Sequence, residues 1–290
     1  MKFGIENEMI RVEAEDKGAQ LSSVYFKQTG TEYLWQGDER YWTGRAYNLF
    51  PVVARLTDKT YTADGKTYRM GTHGFVRNAT LQVVRRSKTR MTFALTDNEE
   101  TRREYPYAFR YFVTYALYGS TLKVTYRAEN TGDKPLPFAF GGHPGFRVPL
   151  AAGERFEDYR VLFPRGAKPQ QIRMTEDCFV AGGEDNFALN RGALSLRHDL
   201  FDHDAIVLKD AGGAVTLAGS AGHGVTVRFP EMKYVGLWHK PKTDAPYLCI
   251  EPWESLPSRA GVIDDMATKP DMTRLAPGAA YENGFSVKLF

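Results

Sequence analysis

The run Tyr111-Phe112-Val113-Thr114-Tyr115-Ala116-Leu117 is followed by Tyr118-Gly119-Ser120 and then by Thr121-Leu122-Lys123-Val124-Thr125-Tyr126. Both long runs are rich in aromatic and β-branched residues, which suit a pleated, half-buried surface. A glycine-centred break between two such runs predicts a β-hairpin. The same period of two recurs in Met9-Ile10-Arg11-Val12-Glu13-Ala14, Thr80-Leu81-Gln82-Val83-Val84 and Met91-Thr92-Phe93-Ala94-Leu95. It continues in Val225-Thr226-Val227-Arg228-Phe229 and Phe285-Ser286-Val287-Lys288-Leu289. No stretch carries a long apolar stripe at helical spacing, and the best short helix candidate is Val262 to Ala267. Short strands separated by Gly, Pro and Asn-Thr-Gly turns predict an all-β fold of packed antiparallel sheets.

At 290 residues the chain has the length of one large β domain or two ordinary ones. With no low-complexity linker, repeat or composition shift, one domain over residues 1–290 is expected. The formal charge is +3, and basic residues alternate with acidic ones. A short basic cluster such as Arg85-Arg86-Ser87-Lys88 reads as a solvated strand end, so no nucleic-acid partner is expected. No leader-like h-region or long apolar segment is found, so no membrane association is expected. Cys178 and Cys249 are the only cysteines, too few for a disulfide framework, and a reducing cytoplasm is the expected compartment.

Several motif readings fall away. The glycines at Gly212-Gly213 and Gly219-Ser220-Ala221-Gly222 open no helix and lack the lysine of a phosphate-binding loop, so they read as turns. No serine occupies a nucleophile elbow. The run His198-Asp199-Leu200-Phe201-Asp202-His203-Asp204 matches no metal spacing; it reads as a polar loop entering the strand Ala205-Ile206-Val207-Leu208.

Four segments concentrate polar groups where a β scaffold has no structural need of them. Asn48-Leu49-Phe50-Pro51-Val52-Val53-Ala54-Arg55 ends an apolar run on an arginine, whose fork of donors suits hydroxyls or a carboxylate. A strand-end arginine paired with a surface acid fits equally well. Met70-Gly71-Thr72-His73-Gly74-Phe75-Val76-Arg77 and Gly141-Gly142-His143-Pro144-Gly145-Phe146 each hold a histidine ahead of a glycine and an aromatic residue. The glycines and proline predict that His143 sits on a turn, with an imidazole free to exchange protons near neutral pH. Arg77 reads as structural or as a rim residue. The last segment runs from Gly236-Leu237-Trp238-His239 to Leu248-Cys249-Ile250-Glu251-Pro252-Trp253. A carboxylate inside that apolar run must be desolvated or closely hydrogen-bonded, and either shifts its pKa. Trp238 and Trp253 suit either a sugar face or core packing.

At these residues, in this order, the chain resembles the aldose 1-epimerases (mutarotases), and especially their LacX-like branch. The resemblance implies a β-supersandwich in which large antiparallel sheets pack face to face and a sugar lies in a cleft on one of them. It implies Glu251 as the base that takes the anomeric proton and His143 as the acid that protonates the ring oxygen. Arg55 and His73 correspond to residues that bind hydroxyls and stabilise charge near that oxygen. Asp204 is the expected substrate-binding aspartate, with Asp202 as the alternative, and Trp238 an expected wall of the sugar site. A monosaccharide is then the partner, and the chemistry requires neither metal nor redox cofactor. Alternatives are a hexose-6-phosphate mutarotase, which needs a basic cluster at the cleft mouth, and a non-catalytic sugar-binding protein. A glycoside hydrolase would pair Glu251 with Asp204 or Asp202 and leave the histidines without a role.

Overall fold

A computed structural model describes all of residues 1–290. The aromatic-rich hairpin around Gly119 forms its centre. Phe109–Tyr118 pairs antiparallel with Thr121–Asn130, from Phe109 opposite Asn130 to Tyr118 opposite Thr121. Tyr118 therefore belongs to the ladder, and the turn shrinks to Gly119-Ser120, with Gly119 at φ 55. Leu122, Val124, Tyr126 and Ala128 are all fully buried, which is the period of two made physical.

This hairpin lies inside a nine-stranded antiparallel sheet. In spatial order the strands are Ala193–Ser195, Arg160–Leu162, Ala214–Ala218, Gly224–Arg228, Ala280–Leu289, Thr121–Asn130, Phe109–Tyr118, Arg90–Thr96 and Gln82–Arg86. A second, seven-stranded sheet has the order Val180–Asn186, Gln170–Met174, Ile206–Lys209, Tyr234–Trp238, Tyr247–Trp253, Gly141–Arg147 and Ala46–Leu49. Lys2–Glu6, Ile10–Glu15, Leu21–Phe26 and Thr31–Glu32 make a smaller four-stranded sheet. The architecture is the expected all-β one of large antiparallel sheets packed face to face.

The two large sheets share a hydrophobic cluster of 72 buried residues. A deep polar contact between them is fully satisfied. Tyr126 Oη of the larger sheet donates to Asn48 Oδ1 of the other at 2.9 Å, and Asn48 Nδ2 donates to the carbonyls of Gly18 and Ala19. A buried amide with all its partners fixes the relative position of the sheets, because leaving any partner unmade would cost the desolvation of that group.

Two expectations fail. Val262 to Ala267 forms no helix: Val262 to Asp264 are irregular, Asp265 bridges to Thr62 and a turn follows, with Val262 and Ile263 exposed. The buried Asp264 accepts from Ser258 Oγ, and Asp265 Oδ1 caps Ala267 N, so local side-chain acceptors win over helix formation. The one α-helix is Glu99–Glu104, closed by a capping box between Asn98 and Thr101. The hexapeptide holding His143 is also no turn: Gly141–Arg147 is a strand. Its glycines serve close packing. A Cβ on Gly142 would lie 2.4 Å from Phe285 Cε1 of the opposing sheet, so only glycine lets the sheets approach there. No helix is long and apolar enough to cross a membrane.

Candidate active site

Alternation along two neighbouring strands builds the site. Along Gly141–Arg147, Gly142 and Phe146 face the larger sheet, which turns Gly141, His143 and Gly145 outward. Along Tyr247–Trp253, Leu248 and Ile250 join the core, which turns Cys249 and Glu251 to the other face, where Trp253 both packs on the core and lines the cleft. The ladder pairs Gly141 with Trp253 and Gly145 with Cys249, so His143 and Glu251 fall side by side between them. On the far flanks, Tyr47 pairs with His143 and Gly236 with Glu251. Gly236 has no side chain to cover the carboxylate.

His143 Nε2 lies 3.3 Å from Glu251 Oε2, and both side chains are at least nine-tenths buried. Burial pushes the Glu251 carboxyl well above its ordinary range, and the Asp204 carboxylate adds to the effect. Burial likewise pushes the His143 imidazole down to about 3. Both trends disfavour charge, so the pair holds one proton between them. Trp42 stacks on the imidazole at 4.9 Å between ring centroids, while Trp238 and His73 meet it edge-on at 5.7 and 5.3 Å.

His73 arrives from a loop that only glycine can complete. Gly74 has φ +72, and a Cβ there would lie 2.1 Å from Phe50 O. His73 N donates to Ala54 O at 2.8 Å, and Ala54 N donates back to His73 Nδ1 at 3.1 Å. An Nδ1 that accepts a hydrogen bond carries no proton. The neutral ring therefore bears its hydrogen on Nε2 and is a donor there. Burial, then the neighbouring His143, push its pKa well down and keep it neutral.

Arg55 donates from Nη1 to Asp177 O at 2.8 Å, and its Nη2 lies 3.7 Å from Asp204 Oδ2. The thiol of Cys178 donates to the same Asp204 oxygen at 2.7 Å. Asp204 lines the cleft, whereas Asp202 does not and acts instead on the distant His239. The polar loop read at His198–Asp204 contains a 3-10 turn, His198–Phe201, and leads into Ile206–Lys209.

The cleft has a volume of about 210 Å³ and brings together His143, Glu251, Arg55, His73, Asp204 and Trp238. Sequence reasoning missed Trp42, Tyr47 and Cys178 among its walls. Tyr47 was within reach of that reasoning, since it neighbours Asn48 with the opposite strand parity. Trp42 carried no signal, because it reaches the cleft from a loop. Arg77, expected to be structural or at the rim, lines the cleft with its guanidinium 4.5 Å above the Tyr47 ring.

The family model for aldose 1-epimerase matches residues 1–287. Protein LacX (chromosomal) of Lactococcus lactis subsp. lactis is 30% identical over 299 residues, covering 100% of this chain and 99% of that one. A galactose mutarotase related enzyme from Lactobacillus acidophilus superimposes with a TM-score of 0.96 at 35% identity, over 100% of this chain and 97% of that one. A galactose mutarotase-like protein from Lactobacillus casei gives a TM-score of 0.94 at 31% identity, over 100% of both chains. On a match that runs nearly end to end, the chain belongs to the aldose 1-epimerase family of sugar isomerases.

Proposed function

We propose that this chain interconverts the α and β anomers of a free aldohexose by acid–base ring opening and closure. The observation that carries the reading is the His143–Glu251 contact at 3.3 Å in an open cleft. With the pair's one titratable proton placed on His143, Glu251 as carboxylate takes the proton of the anomeric hydroxyl while His143, as imidazolium, gives its proton to the ring oxygen. The bond between the anomeric carbon and that oxygen breaks, leaving the open-chain aldehyde. Rotation about the bond from the anomeric carbon to its neighbour presents the other carbonyl face. Closure then returns both protons, with the two residues exchanging roles.

The two transfers are coupled, so the pair neither gains nor loses a proton over the cycle. Opening turns an ion pair into a neutral pair, the form that burial favours. His73 Nε2–H, Arg55 and Asp204 are the groups that hold the sugar's oxygens, and Trp238 offers it an apolar face. Continuity of the 72-residue core supports one mutarotase-like domain over residues 1–290. The two unpaired cysteines agree with a cytoplasmic setting. Polarimetry on freshly dissolved α-glucose and α-galactose tests the activity, and no acceleration over buffer with any aldose would refute it.

One observation favours a second reading, a hexose 6-phosphate. The Arg77 guanidinium rests on the Tyr47 ring rather than on a carboxylate, and with Arg55 it gives the cleft two cations. Assays of glucose and glucose 6-phosphate side by side separate the two readings.

A further inference from the structure

Cys249 has no part in ring opening, yet it stands against the pair that performs it. It lies two residues before Glu251 on the same strand and so on the same face. The ladder sets it opposite Gly145, where a Cβ would lie 3.3 Å from its sulfur. The ligand atoms of His143, Cys249 and Glu251 all fall within 4.8 Å of one another, and all three residues are buried. His143 Nδ1 and Glu251 Oε2 are buried there without a hydrogen-bond partner.

Thiolate, imidazole and carboxylate are the donor types from which protein zinc sites are made. Two donors at alternate positions of one strand and a third on its neighbour form a triangle. Two of the three, His143 and Glu251, also line the cleft. Magnesium and calcium prefer all-oxygen surroundings, so a sulfur in the set selects a thiophilic ion.

We propose that His143, Cys249 and Glu251 bind a thiophilic divalent cation of the zinc class, and that the bound ion blocks the active site. The sulfur–metal bond forms as the thiol proton leaves to solvent, the one titratable proton of the His143–Glu251 pair leaves with it, and no electron is transferred. With His143 and Glu251 both coordinated, the ring nitrogen and carboxylate oxygen that would exchange protons with the sugar are occupied by the ion. The binding claim stands without the mutarotase reading; the blocking claim rests on it.

The test uses the purified full chain and two probe ions. Titration with Co²⁺ is expected to give a near-ultraviolet thiolate-to-cobalt band that saturates at one ion per chain and is displaced by Zn²⁺. Cys249→Ser is expected to lose the band and to weaken Zn²⁺, measured against a colorimetric chelator, by ~100-fold or more. That exceeds the 10–100-fold typical of losing only an outer partner of a metal ligand. Cys178→Ser is expected to keep both signals. A band that survives Cys249→Ser, or that vanishes in Cys178→Ser alone, overturns the site.

His143→Asn keeps the thiol and is expected to weaken Zn²⁺ as well, which covers a Cys249→Ser chain that fails to fold. Equimolar Zn²⁺ is expected to suppress mutarotation, with EDTA restoring it; binding without suppression overturns the blocking claim. A chain with no mutarotation at all sinks the proposed activity, while the Co²⁺ and Zn²⁺ titrations still decide the site.

Discussion

His143 Nε2 and Glu251 Oε2 meet at 3.3 Å because their strands pair antiparallel with Gly141 opposite Trp253 and Gly145 opposite Cys249. That register places one acid–base pair on the outer face with no loop in between. If these groups move the two protons, Glu251→Gln and His143→Asn should each lower kcat by about 10²–10⁴, the usual worth of a positioned acid or base. Both replacements are close in shape. Circular dichroism should show an unchanged fold, and polarimetry should show the loss.

The one titratable proton of the pair sets the pH range of activity. Acid removes function only when the pair takes a second proton, and the His143 imidazole, held down by burial, does so at about 3. Base removes function when the pair loses its single proton, which occurs above the ordinary carboxylate range because Glu251 is raised by burial. The kcat/KM profile should therefore have its acid limb near 3, with no acid limb at the ordinary histidine value of 6.5. An acid limb centred near 6.5, with the fold intact, would show that the histidine titrates independently.

Asp204 and Asp202 separate binding from bystander roles. Asp204 shares its carboxylate with the Cys178 thiol and the Arg55 guanidinium at the cleft wall, while Asp202 stands outside. Asp204→Asn should raise KM by about tenfold or more, the scale of one charge-assisted hydrogen bond. Asp202→Asn should leave KM unchanged. Equal effects of the two in steady-state assays would count against the assignment.

The all-β class and the central hairpin were legible because alternation is local and survives any tertiary context, and the candidate site residues stood out as polar groups in apolar or glycine-rich runs. The strand at His143 was not. Glycine and proline within six residues are punctuation when read locally, whereas here Gly142 and Gly145 are spaces cut for Phe285, Trp42 and Cys249. Val262 to Ala267 failed for the converse reason: its composition allows a helix, but Asp264 accepts from the nearby Ser258 hydroxyl and Asp265 from the Thr62 hydroxyl, which only the fold brings there. Trp42 stacks on His143 from a loop far away in sequence, and nothing in its own neighbours reports that contact.

Gly142 gives a direct test of the strand. A methyl group there would lie 2.4 Å from Phe285 Cε1 and 3.1 Å from Tyr126 Oη, both in a core with no slack. Gly142→Ala should destabilise the chain by about 1–3 kcal/mol through overpacking. A lowered urea midpoint is expected. Were His143 on an exposed turn, the same change would be neutral.

His239 tests the linkage between burial and pH at a site remote from the pair. It is fully buried, and Nδ1 meets Lys240 O at 2.8 Å. A carbonyl only accepts, so Nδ1 carries the proton and Nε2 must accept from His198 Nδ1, 3.2 Å away. Protonating Nε2 would set two N–H groups against each other, and burial has already pushed the pKa down from 6.5 to about 4. Between those values the unfolded chain binds a proton that the folded chain refuses. The contribution of His239 is therefore complete above 6.5 and declines as pH falls toward 4. At roughly 1.4 kcal/mol per pKa unit, lowering the pH from 7.5 to 5 should cost the native chain about 2 kcal/mol through this residue. His239→Gln removes the titration. Whatever the substitution costs at pH 7.5, urea unfolding should show the variant losing about 2 kcal/mol less than the native chain over that interval. Parallel losses in the two chains would mean that His239 is protonated in the folded state and that His198 has turned away to allow it.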